Sequence, residues 1–181
     1  LRRDGAGAGD DIWVSGDLGG TALALAHMRG ELALERAAFA AVAPRLHAPL
    51  PRLALGRALR GIATAAIDVS DGLLADLGHI CERSRLHADI AWAQVPVAQP
   101  LRNLDDARRM RHALAGGDDY ELCFTAPVGA RGRIEALAAM LQLPVTRIGV
   151  MTGGMPDVTF TDASGKSLPA LPAGYDHFGN S

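Results

Sequence analysis

Apolar and polar positions along this chain recur with a period that switches repeatedly between two and about 3.6, the signatures of strands and helices. Residues 63–68 read as a strand whose side chains alternate between faces, so that Asp68 and Ser70 share one side while Val69 turns back toward a core. Leu73, Leu74, Leu77, Ile80 and Cys81 then fall at helical spacing, with Asp76, Glu82 and Arg83 assigned to the opposite, polar side. The same reading predicts strands at 12–14, 87–92, 122–125, 145–150 and 158–161, and helices at 22–28, 31–42, 53–59, 105–114 and 131–141. Pro44, Pro49 and Pro51 are expected to end the alanine-rich helix at 31–42. Asp162-Ala163-Ser164-Gly165 sets up a hairpin between 158–161 and 166–168, and Asn103 or Asp105 is placed to cap the helix at 105–114.

The 181 residues are enough for one domain with a proper core, and 49% hydrophobic with 21% charged residues is an ordinary globular composition. A formal charge of −2 leaves no electrostatic footprint for nucleic acid, and the arginines at 102, 108, 109 and 111 are interleaved with Asp105 and Asp106 as on a solvated helix face. No run approaches the roughly 18 apolar residues of a membrane span. Cys81 and Cys123 lack the CxxC spacing of metal or redox sites and sit in apolar contexts, so buried, reduced thiols and a cytoplasmic location are expected. The start, Leu1-Arg2-Arg3-Asp4-Gly5-Ala6, has no initiator Met and reads as a piece of a longer protein.

Two stretches carry candidate chemistry. In Ala65-Ala66-Ile67-Asp68-Val69-Ser70-Asp71-Gly72-Leu73-Leu74 an apolar strand delivers two carboxylates and a hydroxyl just before a helix. Ser70 or Asp71 as a helix cap would contribute ~1 kcal/mol and require nothing more. That leaves Asp68 unexplained, since a carboxylate ending an apolar strand is costly unless exposed or paired. The other reading has Asp68 and Asp71 holding Mg²⁺, a hard ion that prefers carboxylate and phosphate oxygens. The nucleophilic Asp-x-Asp of haloacid-dehalogenase-type phosphatases does not fit, because Ser70 stands two positions after Asp68.

The second stretch, Ala115-Gly116-Gly117-Asp118-Asp119-Tyr120-Glu121, combines a glycine pair with three acids. It is either a helix C-cap at Gly116 followed by a solvated turn, or a loop that faces the first stretch and binds a cationic ligand. The glycine-rich turn at 15–21 lacks both the Lys-Ser/Thr of a Walker A loop and Gly-x-Gly-x-x-Gly spacing, which favours a purely structural turn over a phosphate cradle. His27, His47 and His79 form no His-x-x-x-His pair, so surface or hydrogen-bonded roles are expected. Tyr175 and Phe178, in a chain with only 4% aromatics, suggest that the segment 174–178 docks rather than frays.

Read together, residues 66–80, 116–124 and 174–178, with the opening Leu1 to Ala6 and Val14-Ser15-Gly16, resemble the thiamine-monophosphate kinase family over nearly the whole chain and in the right order. The resemblance implies a two-domain enzyme of the aminoimidazole-ribonucleotide-synthetase superfamily. Residues 1–20 would be the connection from an N-terminal domain together with the first strand, and 12–181 the C-terminal domain, an α/β (α+β) unit with a layered mixed sheet packed with helices. It implies that Asp68 and Asp71 are magnesium ligands, that Ser70 and Arg3 contact ATP, and that Asp118 and Phe178 contact the substrate. Asp118 stands where the family commonly has a longer glutamate. The implied reaction converts ATP and thiamine monophosphate to ADP and thiamine diphosphate, with several Mg²⁺ ions and a homodimer built through the N-terminal domain. Two other classes remain open: an amidine-forming ligase of the same superfamily, and a non-catalytic ligand-binding or regulatory remnant.

Overall fold

The computed structural model describes residues 1–168. In chain order the elements are β1 (Asp11–Ser15), α1 (Gly20–Met28), α2 (Arg36–His47), α3 (Leu53–Ala58), β2 (Ala65–Val69), α4 (Leu73–Ser84), β3 (His87–Ala91), α5 (Asp106–Ala115), β4 (Glu121–Ala126), α6 (Arg131–Leu141), β5 (Val145–Thr152) and β6 (Asp157–Thr161). The strands form one mixed sheet in the order β2-β4-β1-β5-β3-β6. Neighbours are antiparallel except β3 and β6, which run parallel.

Alternation along the strands splits the interior into layers. Ile12 and Val14 of β1, Ile67 and Val69 of β2 and Cys123 of β4 face a core filled by Leu73, Leu77, Ile80 and Cys81 of α4 and by α5. Trp13 and Phe124 face the other side, where Leu55 and Leu59 and then Ile134 of α6 cover them. Those two rings stack with centroids 6.3 Å apart. A third cluster holds α1 to α2 through Leu23, Ala24 and Val42. The result is the helix–sheet–helix layering expected of the α/β class. Cys81 and Cys123 are buried and unpaired, and burial pushes the Cys81 thiol up to about 12 and that of Cys123 up as well.

Two expectations about α2 need correction. The helix begins only at Arg36, because the chain at 31–35 is held otherwise: the Leu34 N–H donates to His27 Nδ1 at 3.1 Å and His27 packs on the Phe39 ring. It also runs through Pro44 to His47. Proline removes only the bond to the carbonyl of Ala40, an exposed residue whose carbonyl can turn to water, while Val42 and Ala43 stay buried. Arg45 ties the last turn down by donating to the Asp17 carbonyl at 2.9 Å and pairing with its carboxylate. The hairpin beyond β6 forms as expected, Leu168 N–H donating to Phe160 C=O at 2.7 Å and Asp162 organising the turn. Asp105 caps α5 by accepting from the Arg108 N–H at 2.9 Å.

Candidate active site

β2 is an edge strand, hydrogen-bonded to β4 with Asp68 opposite Leu122 and Val69 opposite Glu121. Ile67 and Val69 are buried, whereas Asp68 is exposed on the side of Ala66, the face covered by α3. After Val69 the chain turns through Ser70, Asp71 and Gly72 into α4. Gly72 sits at φ 105°, and a Cβ there would press within 3.0 Å of the backbone of residues 114 and 115.

Neither Ser70 nor Asp71 caps this helix: the N-cap is Gly72, without a side-chain bond. The job is done in reverse by Asp76, whose Oδ2 accepts the N–H groups of both Ser70 (2.8 Å) and Asp71 (2.9 Å). Asp76 is therefore not on the polar side of α4 but 3% exposed. Burial pushes its carboxyl up, the two N–H bonds pull it down, and the Asp71 and Asp68 carboxylates push it up further. The elbow thus hangs on one buried oxygen.

The loop 116–121 runs alongside the elbow. Asp118 N–H donates to Ser70 C=O at 2.8 Å and Tyr120 N–H to Val69 C=O at 2.9 Å. A Cβ on Gly117 would lie 2.5 Å from the Ser70 carbonyl oxygen, so only glycine allows this approach. Of the acids here, two are consumed by the fold. Asp119 accepts from Gly19 N–H (2.6 Å) and Thr21 N–H (3.4 Å) at the start of α1, and burial pushes its carboxyl up to about 7 against those bonds. Its capture of these amides bears out the structural reading of the turn at 15–21. Glu121, 1% exposed, takes a two-pronged bond from Arg52 (2.7 and 2.6 Å) and the Ser15 hydroxyl at 2.5 Å.

Asp118 is left facing outward, accepting from the Tyr120 hydroxyl at 3.3 Å. Asp118 and Tyr120 both hold positive φ, 66° and 51°, at a cost of order 1–2 kcal/mol per residue. Asp118 pushes the Tyr120 phenol up, with smaller pushes from Asp68 and Asp71, which puts the elbow and the loop in one electrostatic neighbourhood.

Beneath Asp68 a groove of about 500 Å³ opens between β2 and α3, lined among others by Arg3, Arg52, Arg57, Arg60 and Tyr120. Arg2 turns away to pair with Asp4 at 2.6 Å, which leaves Arg3 as the arginine of the opening segment in the groove. The structure therefore brings Arg3 and Asp68 to one groove and joins Ser70 to Asp118 through the backbone. Phe178 lies outside the described residues. The sequence pattern does not single out Arg52, Arg57 and Arg60 in and around α3, but Asp76 stands three residues after Leu73 and four before Ile80, inside the apolar stripe, which signals burial.

Among the described residues the side chains of Asp68, Ser70 and Asp71 make no hydrogen bond or ion pair. No group of three or more His, Cys, Asp or Glu side chains among them could cage a metal. Two exposed, unpartnered carboxylates still suit Mg²⁺, which commonly takes one or two carboxylates and completes its shell with water and phosphate oxygens.

Residues 7–160 match the family AIR synthase related protein, C-terminal domain. The chain belongs to that family. Within this AIR-synthase-related family, a similar curated protein is thiamine-monophosphate kinase of Salmonella typhimurium, 40% identical over 98% of this chain and 55% of the relative. The crystal structure of thiamine-monophosphate kinase from Stenotrophomonas maltophilia superposes with a TM-score of 0.84 at 45% identity, covering 93% of this chain and 54% of that one. AaThiL complexed with AMPPCP and TMP superposes with a TM-score of 0.78 at 30% identity, covering 97% of this chain and 53% of that one. The chain thus spans about half the length of the relatives it matches. Among the described residues no helix is long and apolar enough to cross a membrane.

Proposed function

We propose that the protein containing this chain is an ATP-dependent kinase that phosphorylates thiamine monophosphate to thiamine diphosphate. The observation that carries the reading is the sorting of acids around the elbow: Asp76, Asp119 and Glu121 are bound by the fold, while the Asp68 and Asp71 carboxylates have no partner among the described residues. In this reading residues 12–181 are the C-terminal domain and 1–20 its connection to an N-terminal domain through which the enzyme dimerises in the cytoplasm.

Asp68 and Asp71 hold Mg²⁺, which when bound neutralises phosphate charge. Phosphoryl transfer asks for positioning and electrostatics more than for a protein nucleophile. Asp76 keeps the two ligands in register, and Ser70 and Arg3 contact the nucleotide. Asp118, already tilted outward on strained backbone, faces the cationic thiazolium, and Phe178 offers it an aromatic surface. A bond forms between a phosphate oxygen of thiamine monophosphate and the terminal phosphorus of ATP as the bond to ADP breaks, with no phospho-aspartate in between.

The test is ADP release by the full-length protein with ATP, Mg²⁺ and thiamine monophosphate. Thiamine diphosphate formed in equal amount supports the proposal. ADP release that ignores thiamine monophosphate, or phosphate recovered on Asp68 or Asp71, rejects it.

A further inference from the structure

The groove beneath Asp68 contains more positive charge than the fold uses. Of its four arginines, Arg52 is neutralised by the buried Glu121. Arg3, Arg57 and Arg60 are exposed and have no carboxylate within ion-pair distance among the described residues. Arg57 lies in the last turn of α3, and Arg60 follows in the next turn, its N–H reaching the Arg57 carbonyl at 3.4 Å. Among the described residues Asp68 is the single acid in the groove wall, and Ala66, Ile67 and Leu122 supply apolar surface.

Three free guanidiniums around one carboxylate do not stabilise the fold. Their like charges give the groove a positive potential that a bound anion lowers. A planar fork of N–H donors is the side chain best matched to phosphate oxygens. Asp68 beside them is an exposed carboxylate that can share a divalent cation with a phosphate chain held by the arginines. A polyphosphate bound as its Mg²⁺ complex meets both demands, and its organic part finds the apolar wall and Tyr120.

We infer that Arg57 and Arg60, with Arg3, form an anion-binding wall that receives the phosphate chain of the nucleotide next to Asp68. The inference rests on the phosphoryl transfer proposed above, so its test reads binding rather than turnover. Titrate the full-length protein, parent and variants Arg57→Ala, Arg60→Ala and the double variant, with MgATP, inorganic tripolyphosphate and thiamine monophosphate. Arg83→Ala, an exposed arginine on α4, controls for net charge, and thermal unfolding checks that the variants fold. Each groove variant should weaken MgATP and tripolyphosphate about ten-fold, the scale of one lost charge-assisted contact, and leave thiamine monophosphate unchanged.

Nucleotide and tripolyphosphate affinities equal to those of the Arg83 control overturn the assignment. So does a loss confined to thiamine monophosphate, which would place the acceptor's phosphate here instead. If the protein proves unable to phosphorylate thiamine monophosphate but tripolyphosphate binding still falls in the arginine variants, the kinase reading fails and the wall stands.

Discussion

The elbow offers the sharpest perturbation, because a single oxygen of Asp76 holds the backbone on which Asp68, Ser70 and Asp71 sit. In Asp76→Ala both N–H groups lose their acceptor. Asp71 is exposed, so its N–H finds water and most of that bond is replaced; Ser70 is half-buried, where an N–H without a partner costs ~1–3 kcal/mol. Removing a carboxyl that burial disfavours returns part of this, which leaves a net destabilisation of ~1–2 kcal/mol. The functional loss should be larger. If Asp68 and Asp71 hold the metal as proposed, displacing them by about 1 Å costs on the order of 100-fold in rate, so turnover should collapse well beyond the modest shift in unfolding midpoint.

Asp76→Asn separates geometry from charge. Its amide oxygen can accept both N–H groups, so the elbow keeps its shape while one negative charge near Asp68 and Asp71 is gone. The assay is turnover of the full-length protein against Mg²⁺ concentration, with urea unfolding in parallel. Asn should restore most of the maximal rate and need somewhat more Mg²⁺. If Asn is as damaged as Ala at saturating Mg²⁺, charge and not backbone support is what Asp76 supplies; if Ala turns over like the parent, the elbow does not depend on Asp76 at all.

Asp71→Asn should lower Mg²⁺-dependent turnover by orders of magnitude while moving stability by less than ~0.5 kcal/mol, since this exposed side chain caps nothing; equal losses in both would return it to a structural role. Arg52→Ala should destabilise by ~2–3 kcal/mol in urea unfolding, because it leaves the carboxylate of Glu121, which is 1% exposed, with only the Ser15 hydroxyl and Arg45 4.0 Å away. Asp119 gives a pH signature. Its folded pKa, raised by burial from 3.8 to about 7, means that its contribution to stability is fully present below about pH 4 and is lost as pH rises through 7. In Asp119→Asn, whose oxygen can still accept from Gly19, the unfolding midpoint should fall less between pH 4 and 8 than in the parent, and parallel profiles would refute the shift.

How much of this was legible in the residues depended on the range of the interaction that decides each feature. Strands and helices driven by their own apolar periodicity, such as β2, α4 and α6, appear within a residue or two of where alternation and the 3.6-residue stripe place them. Pro44 misled because a proline rule counts the lost bond and not the burial of Val42 and Ala43 that keeps the helix going. The acids show the effect most clearly. Asp118, Asp119 and Glu121 are adjacent and alike in sequence, yet the partners that distinguish them lie 100 residues away at Gly19 and 106 away at Ser15. Local chemistry cannot separate them; the sheet does, by pairing β4 between β1 and β2, so that one loop meets the start of α1 on one side and the elbow on the other. Once the buried acids are matched to their amides and guanidiniums, the carboxylates still facing outward at the elbow and its loop are Asp68, Asp71 and Asp118. Of these, Asp68 lines the groove at the open edge of β2 that Arg3, Arg57 and Arg60 also line. A carboxylate and guanidiniums that share one groove without pairing suit the ligand proposed above, a metal-bound polyphosphate that carries both signs.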